Sequence, residues 1–238
     1  MDYLSKKREY TFLNNHNAVI HVHTFQIAHA SYKIFVEAKS KKYRDSVNLL
    51  EKIIPSLNIE NLPTFVVVDN KKLGEGSISS YNAQQDVIYF NSKYANRDLL
   101  QNILNNPFFA ANSLRGVIYH ELAHKQHWDA VKRFYKAHKL RYNSIIDAKK
   151  KLDSNLEQYI GYQLSFDRSY LSKNVSIYAE KAYKCAKQHL QANMINEVIA
   201  EALTSNNRAD KQLNKLVKEE LSYGRLLNDG HSSSSNQE

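Results

Sequence analysis

Apolar residues recur at helical spacing through most of the second half of the chain. Leu114, Val117, Ile118, Leu122, Ala123 and Val131 form one broad apolar face, which predicts a helix over about 113–140 with Asn112 or Ser113 as its N-cap. The same periodicity predicts helices near 98–105, 143–161, 175–192, 194–205 and 209–222, with breaks at Pro107, Gly161 and Asn206-Asn207. The first half reads differently. Met1 to about Ile20 follows no single period, whereas Ile34, Phe35, Val47, Leu49, Leu50, Ile53 and Ile54 suggest one long helix or two shorter ones over about 28–54, ending at Pro55. Phe65-Val66-Val67-Val68 after Pro63 reads as a buried strand. Ser77 to Tyr81 and Asp86 to Phe90 are two β-like runs joined by Asn82-Ala83-Gln84-Gln85, a hairpin pattern.

Together these elements predict an α+β fold, with a small mostly antiparallel sheet packed on a largely helical body. Residues 1–110 would hold the N-terminal helix and the sheet, residues 111–228 a helical subdomain, and residues 229–238 a disordered tail, with the first two forming one compact unit. No internal repeat is apparent.

The long helix contains His120-Glu121-Leu122-Ala123-His124. Two histidines four apart project from one helical face, where both can bind one Zn²⁺ while the intervening Glu121 acts as general base. A catalytic zinc takes three protein ligands and keeps a position open, so a third must come from elsewhere. His127 lies about 10 Å from His120 along the axis, too far for both to reach one ion, and reads as an orienting or solvent-facing group. Ala130 stands where an extended three-histidine signature would place its last ligand, and His138 is a further alternative.

Glu197 is the better third ligand. Ile195, Val198, Ile199, Ala202 and Leu203 recur at helical spacing, which sets Glu197 and Glu201 one turn apart on a common face. Among the glutamates, only Glu197 is followed four residues later by another acid, so this pair alone can offer one carboxylate to metal and another to support a ligand histidine. The alternative is two exposed helix carboxylates.

His120-Glu121-Leu122-Ala123-His124 followed by Asn196-Glu197-Val198-Ile199-Ala200-Glu201 resembles the gluzincin branch of the zincin metallopeptidases, whose second motif is Asn-Glu-x-x-x-Asp or a close relative. The resemblance implies a zincin-like fold, one Zn²⁺ per chain held by His120, His124 and Glu197, Glu121 as the base that activates water, and Glu201 as the acid orienting a ligand histidine. Glu201 replaces the commoner Asp, and the interval between the motifs exceeds that of compact members, so a largely helical insertion separates them. In zincins a sheet edge ahead of the active-site helix binds substrate as an added antiparallel strand. Ser77, Ile78, Ser79, Ser80 and Tyr81 are the matching edge here, with Gly74 and Gly76 before them; the alternative is a hairpin that only packs. The order of glycine-containing hairpin, strand ending in Asn91, active-site helix and late acidic helix is also similar to zincin-like domains of phage minor head proteins and mobile elements.

Composition narrows the setting. With 238 residues, 42% hydrophobic and 24% charged, the chain can bury a substantial core and is not of disordered type. No apolar run reaches the roughly 20 residues of a membrane span, and no secretory hydrophobic core follows Lys6-Lys7-Arg8, so a cytoplasmic or virion-associated protein without membrane contact is expected. Cys185 is the only cysteine, which excludes an intramolecular disulfide and a thiolate zinc cluster and suits a small helix-packing residue. The net charge of +9 resides largely in runs such as Lys132-Arg133, Lys136, Lys139, Arg141 and Lys149-Lys150-Lys151, read as a solvated face.

The leading expectation is therefore a zinc metalloendopeptidase acting on a peptide or protein substrate. Its rivals are a non-catalytic or self-processing zincin-fold interaction protein, and a basic helical nucleic-acid binder in which the pentapeptide is accidental.

Overall fold

The computed structural model describes residues 8–12, 16–27, 30–37, 43–57, 61–69, 73, 76–188, 195–205 and 210–223. The fold is α+β and divides into two compact units, Met1–Asn106 with Asn112–Glu121, and Pro107–Ala111 with Leu122–Glu238. The tail from Asp229 and Gly74 lie outside the described residues.

In the first unit, strands β2 (His16–Ile27), β3 (Ala30–Val36), β4 (Thr64–Val68), β6 (Val87–Asn91) and β5 (Ser79–Asn82) lie side by side in that order, and β1 (Arg8–Phe12) pairs with the outer edge of β2. The sheet is mixed rather than mostly antiparallel. β1–β2, β2–β3 and β5–β6 run antiparallel, but the two central pairings, β3–β4 and β4–β6, are parallel. Parallel neighbours need a crossover, and helix α1 (Tyr43–Ile53) supplies it between β3 and β4. The central strands show the expected signature of burial on both faces: Phe65 to Val68 and Val87 to Asn91 are buried without alternation.

The segment expected to be helical over 28–54 is thus a strand and a helix. Ile34 and Val36 are fully buried while Ser31 and Lys33 are exposed, a period of two that marks β3, whereas α1 buries Val47 and Leu50 and stops before Pro55 as the sequence predicts. Asn96 caps the next helix, α2 (Arg97–Leu104), by accepting from Asp98 N and Leu99 N.

The active-site candidate helix α3 (Leu114–Ala137) is unbroken, and residues from Leu122 onward belong to the second unit. That unit continues with α4 (Ile145–Phe166), α5 (Tyr170–Asn174), α6 (Ile177–Gln188), α7 (Asn196–Thr204) and α8 (Lys211–Ser222). Their apolar stripes meet in one core that includes Leu156, Ile160, Leu171, Ile195, Val198, Ile199, Leu213 and Val217. Gly161 does not end α4. Its position faces open space, so it costs about 1 kcal/mol of helix propensity while Leu156 and Ile160 hold the helix by burial. The helix expected over 175–192 is α6 alone, preceded by the separate turn of α5, and residues 189–192 lie outside the described ones. Cys185 is exposed on α6 rather than packed. Among the described residues no helix is long and apolar enough to cross a membrane.

Candidate metal centre

Helix α3 begins where the sequence places it, with Ser113 Oγ accepting from Gly116 N at 3.2 Å. Leu114, Val117, Ile118, Leu122, Ala123 and Val131 are buried along it. His120 and His124 stand one turn apart on the same unbroken helix, so their spacing is fixed by helical geometry alone. Helix α7 brings Glu197 to His124, with Oε1 3.5 Å from Nε2. His120, His124 and Glu197 each offer a ligand atom, and all three atoms lie within 4.8 Å of one another.

The residues fit the ion that the resemblance implies. Donors about 2.1 Å from a tetrahedral Zn²⁺ stand about 3.4 Å apart, which the His124–Glu197 separation already matches. Two imidazoles and a carboxylate are a catalytic donor set, and His124 and Glu197 remain partly exposed, as an ion that must receive substrate requires.

Glu121 is buried, and its Oε1 accepts a hydrogen bond of 2.7 Å from Ser79 Oγ on strand β5. That strand is held from the sheet side. Asn91, fully buried at the end of β6, donates from Nδ2 to Ser77 O (2.9 Å) and from its backbone N to Ile78 O (3.0 Å), while its Oδ1 accepts from Lys93 N. At the far end of the hairpin Tyr81 donates to Asp86, the residue that takes the left-handed turn conformation at φ 51°. Gly76, at φ +88°, sets the chain direction just before the strand, a conformation that suits glycine. Of the expected edge segment, Ser79 to Tyr81 lie in β5; Ser77 and Ile78 precede it and are fixed by Asn91. Among the described residues β5 is the last strand of the sheet.

Glu201 is almost fully buried, and its Oε2 accepts from Ala110 N at 2.8 Å. The same short segment is tied to α6 through Tyr178 N, which donates to Phe108 O, and through the rings of Phe108, Phe109 and Tyr178. Glu201 therefore anchors residues 107–111 to α7 with one oxygen.

His127 does not face solvent. It is 1% exposed, and its Nε2 lies 3.0 Å from both Asp153 Oδ1 and Glu220 Oε1. Lys149, read from the sequence as part of a solvated run, is fully buried and bonded to Asp153, whereas Lys150 and Lys151 are exposed. The sequence did carry a signal for this cluster: Lys149 and Asp153 occupy the same stripe as Leu156 and Ile160, so they had to point inward. His138 pairs with Tyr223 Oη at 2.8 Å and is not a ligand of the first group. Arg133 ties α3 to the end of α8, donating to Leu221 O and Tyr223 O.

No known family model, curated protein or solved structure matches this chain.

Proposed function

We propose that the chain is a zinc-dependent peptide hydrolase of gluzincin type, built on a zincin-like fold. The observation that carries this reading is the convergence of His120, His124 and Glu197, contributed by α3 and α7, on ligand-to-ligand distances suited to one ion. Zn²⁺ held there supplies Lewis acidity, lowering the pKa of a water and polarising a carbonyl.

The remaining work falls to the protein's own groups. Glu121, next to a ligand on the same helix, is the acceptor for the proton of the attacking water and the donor that returns it to the leaving amine. The Ser79 hydroxyl holds one carboxylate oxygen of Glu121, fixing the rotamer and directing the other oxygen to the water. Strand β5, paired on one side with β6, offers its outer edge to an extended peptide, and Asn91 keeps that edge straight. Glu201 supports α7 through Ala110.

Zinc content and peptide cleavage test the proposal together. Wild type should lose one equivalent of zinc in His124→Ala and in Glu197→Ala, and should cut members of a peptide library that neither variant cuts. Zinc at this site without cleavage of any peptide would move the reading to a non-catalytic or self-processing scaffold. Equal zinc in all three proteins would remove the site altogether.

A further inference from the structure

The second unit contains a polar cluster that the proposed hydrolysis does not use. Three apolar helix stripes are each interrupted by ionisable residues. On α3 the stripe Ala123, Ala130 carries His127; on α4 Leu156 and Ile160 share theirs with Lys149 and Asp153; on α8 Leu213 and Val217 share theirs with Glu220. The interruptions meet. All four side chains are buried, and His127 Nε2 is 3.0 Å from Asp153 Oδ1 and 3.0 Å from Glu220 Oε1.

We infer that His127, Asp153 and Glu220 form a second, structural binding site for a divalent transition-metal cation, with Zn²⁺ as its simplest occupant, that ties α3, α4 and α8 together. Their ligand atoms lie within 4.8 Å of one another, the same closeness that the His120 group shows.

Hydrogen bonding alone leaves this cluster incomplete. One ring nitrogen carries at most one proton, which bonds to Asp153, and the buried Glu220 Oε1 is left with no hydrogen bond despite its 3.0 Å approach. A cation at the centre serves all three atoms at once, after they open by a few tenths of an ångström toward the roughly 3.4 Å edges of a tetrahedral shell. Lys149 does not occupy that place, because its ammonium sits on the other oxygen, Asp153 Oδ2. It orients the carboxylate instead. Water or the second oxygen of Glu220 completes the shell.

Charge points the same way. Two carboxylates face one ammonium, so with a neutral imidazole the cluster lacks positive charge. A proton and a metal ion compete for one position, between three donors that a proton cannot satisfy together.

The test uses the full chain, stripped with a chelator, reloaded with Zn²⁺ and desalted before elemental analysis. The expected contents are two equivalents in wild type, one in Glu197→Ala, one in Glu220→Gln and none in the double variant. Glu197→Ala also leaves the second cluster intact, so Co²⁺ bound to that variant should give visible ligand-field absorption whatever the folding of Glu220→Gln. One equivalent in wild type that vanishes in Glu197→Ala, with no Co²⁺ absorption, would overturn the second site and leave the hydrolase reading standing. One equivalent that survives in Glu197→Ala and is lost in Glu220→Gln would do the reverse. A metal-free wild type would overturn both.

Discussion

The hydroxyl of Ser79 donates to Glu121 across 2.7 Å, joining residues 42 positions apart. The bond fixes the direction in which the carboxylate faces. Ser79→Ala removes that hold on the carboxylate. With the positioning lost, kcat should fall about 10-fold, in line with one charge-assisted hydrogen bond. Zinc content should not change. Turnover equal to wild type would show that the hydroxyl does not act on the base.

Glu121→Gln keeps the shape of the side chain and removes its ability to take a proton. Turnover should drop by about 100-fold or more, with zinc content and thermal unfolding close to wild type. Stopped kinetics on a cleaved library peptide, alongside elemental analysis, checks both halves.

Glu201 gives a prediction with two readouts. Glu201→Ala leaves the Ala110 N–H without its acceptor and a buried space beside α7, so stability should fall by about 2–4 kcal/mol in urea unfolding. Glu201→Gln retains an amide oxygen for Ala110 and should lose far less. If the second oxygen also supports a ligand histidine, zinc affinity falls about 10–100-fold in both variants. Unchanged affinity in Glu201→Gln would confine the residue to anchoring residues 107–111.

Asp210 caps α8 by accepting from Leu213 N at 2.7 Å and also receives the hydroxyls of Tyr159 and Tyr170. Asp210→Ala should cost about 3 kcal/mol, from the lost cap and two hydroxyls left without their acceptor. The same group sets an alkaline limit. Burial, then the bond to Asp210, raises the pKa of Tyr170 well above its usual value. The unfolded chain ionises this phenol near pH 10 and the folded chain does not, so the contribution of Tyr170 is present below pH 10 and is lost as the pH rises beyond it. Tyr170→Phe should lower the urea midpoint at pH 8 yet flatten its decline between pH 9 and 11. A parallel decline in both proteins would contradict the assignment.

Elements whose evidence is local were legible in the sequence. The α3 and α7 periodicities, the four-residue apolar run of β4 and the hairpin pattern of β5 and β6 each declare themselves within a dozen residues, so the sequence alone groups His120, His124 and Glu197. Strand β3 was not legible because Ile34 and Phe35 merge by eye with Val47 and Leu50 into one apolar set, and only pairing with β2 and β4 separates them. The mixed character of the sheet depends on those same distant partners. His127 is a different case: its distance from His120 along the helix excludes it from the first metal group without saying where it goes, and the stripe of Ala123 and Ala130 carries it inward rather than to solvent. The sequence marks Asn91 only as the end of a strand. Its clamp on Ser77 and Ile78 follows from a polar residue fully buried in a sheet, which must find partners.

The order of strands also sets a sequence in time. β5 and β6 are neighbours along the chain, separated by residues 83–86, and such hairpins close in about 1–10 μs. It is β6 that meets β4, in parallel, and that pairing must wait for a longer stretch of chain to be gathered. The hairpin thus matures early and docks as a prefabricated piece, carrying Ser79 on its outer strand. Glu121 lies beyond it in the chain and meets that hydroxyl only when α3 settles against the finished sheet. A newly made or partly unfolded molecule consequently holds an unaligned carboxylate, and the Ser79–Glu121 bond forms only with the completion of folding.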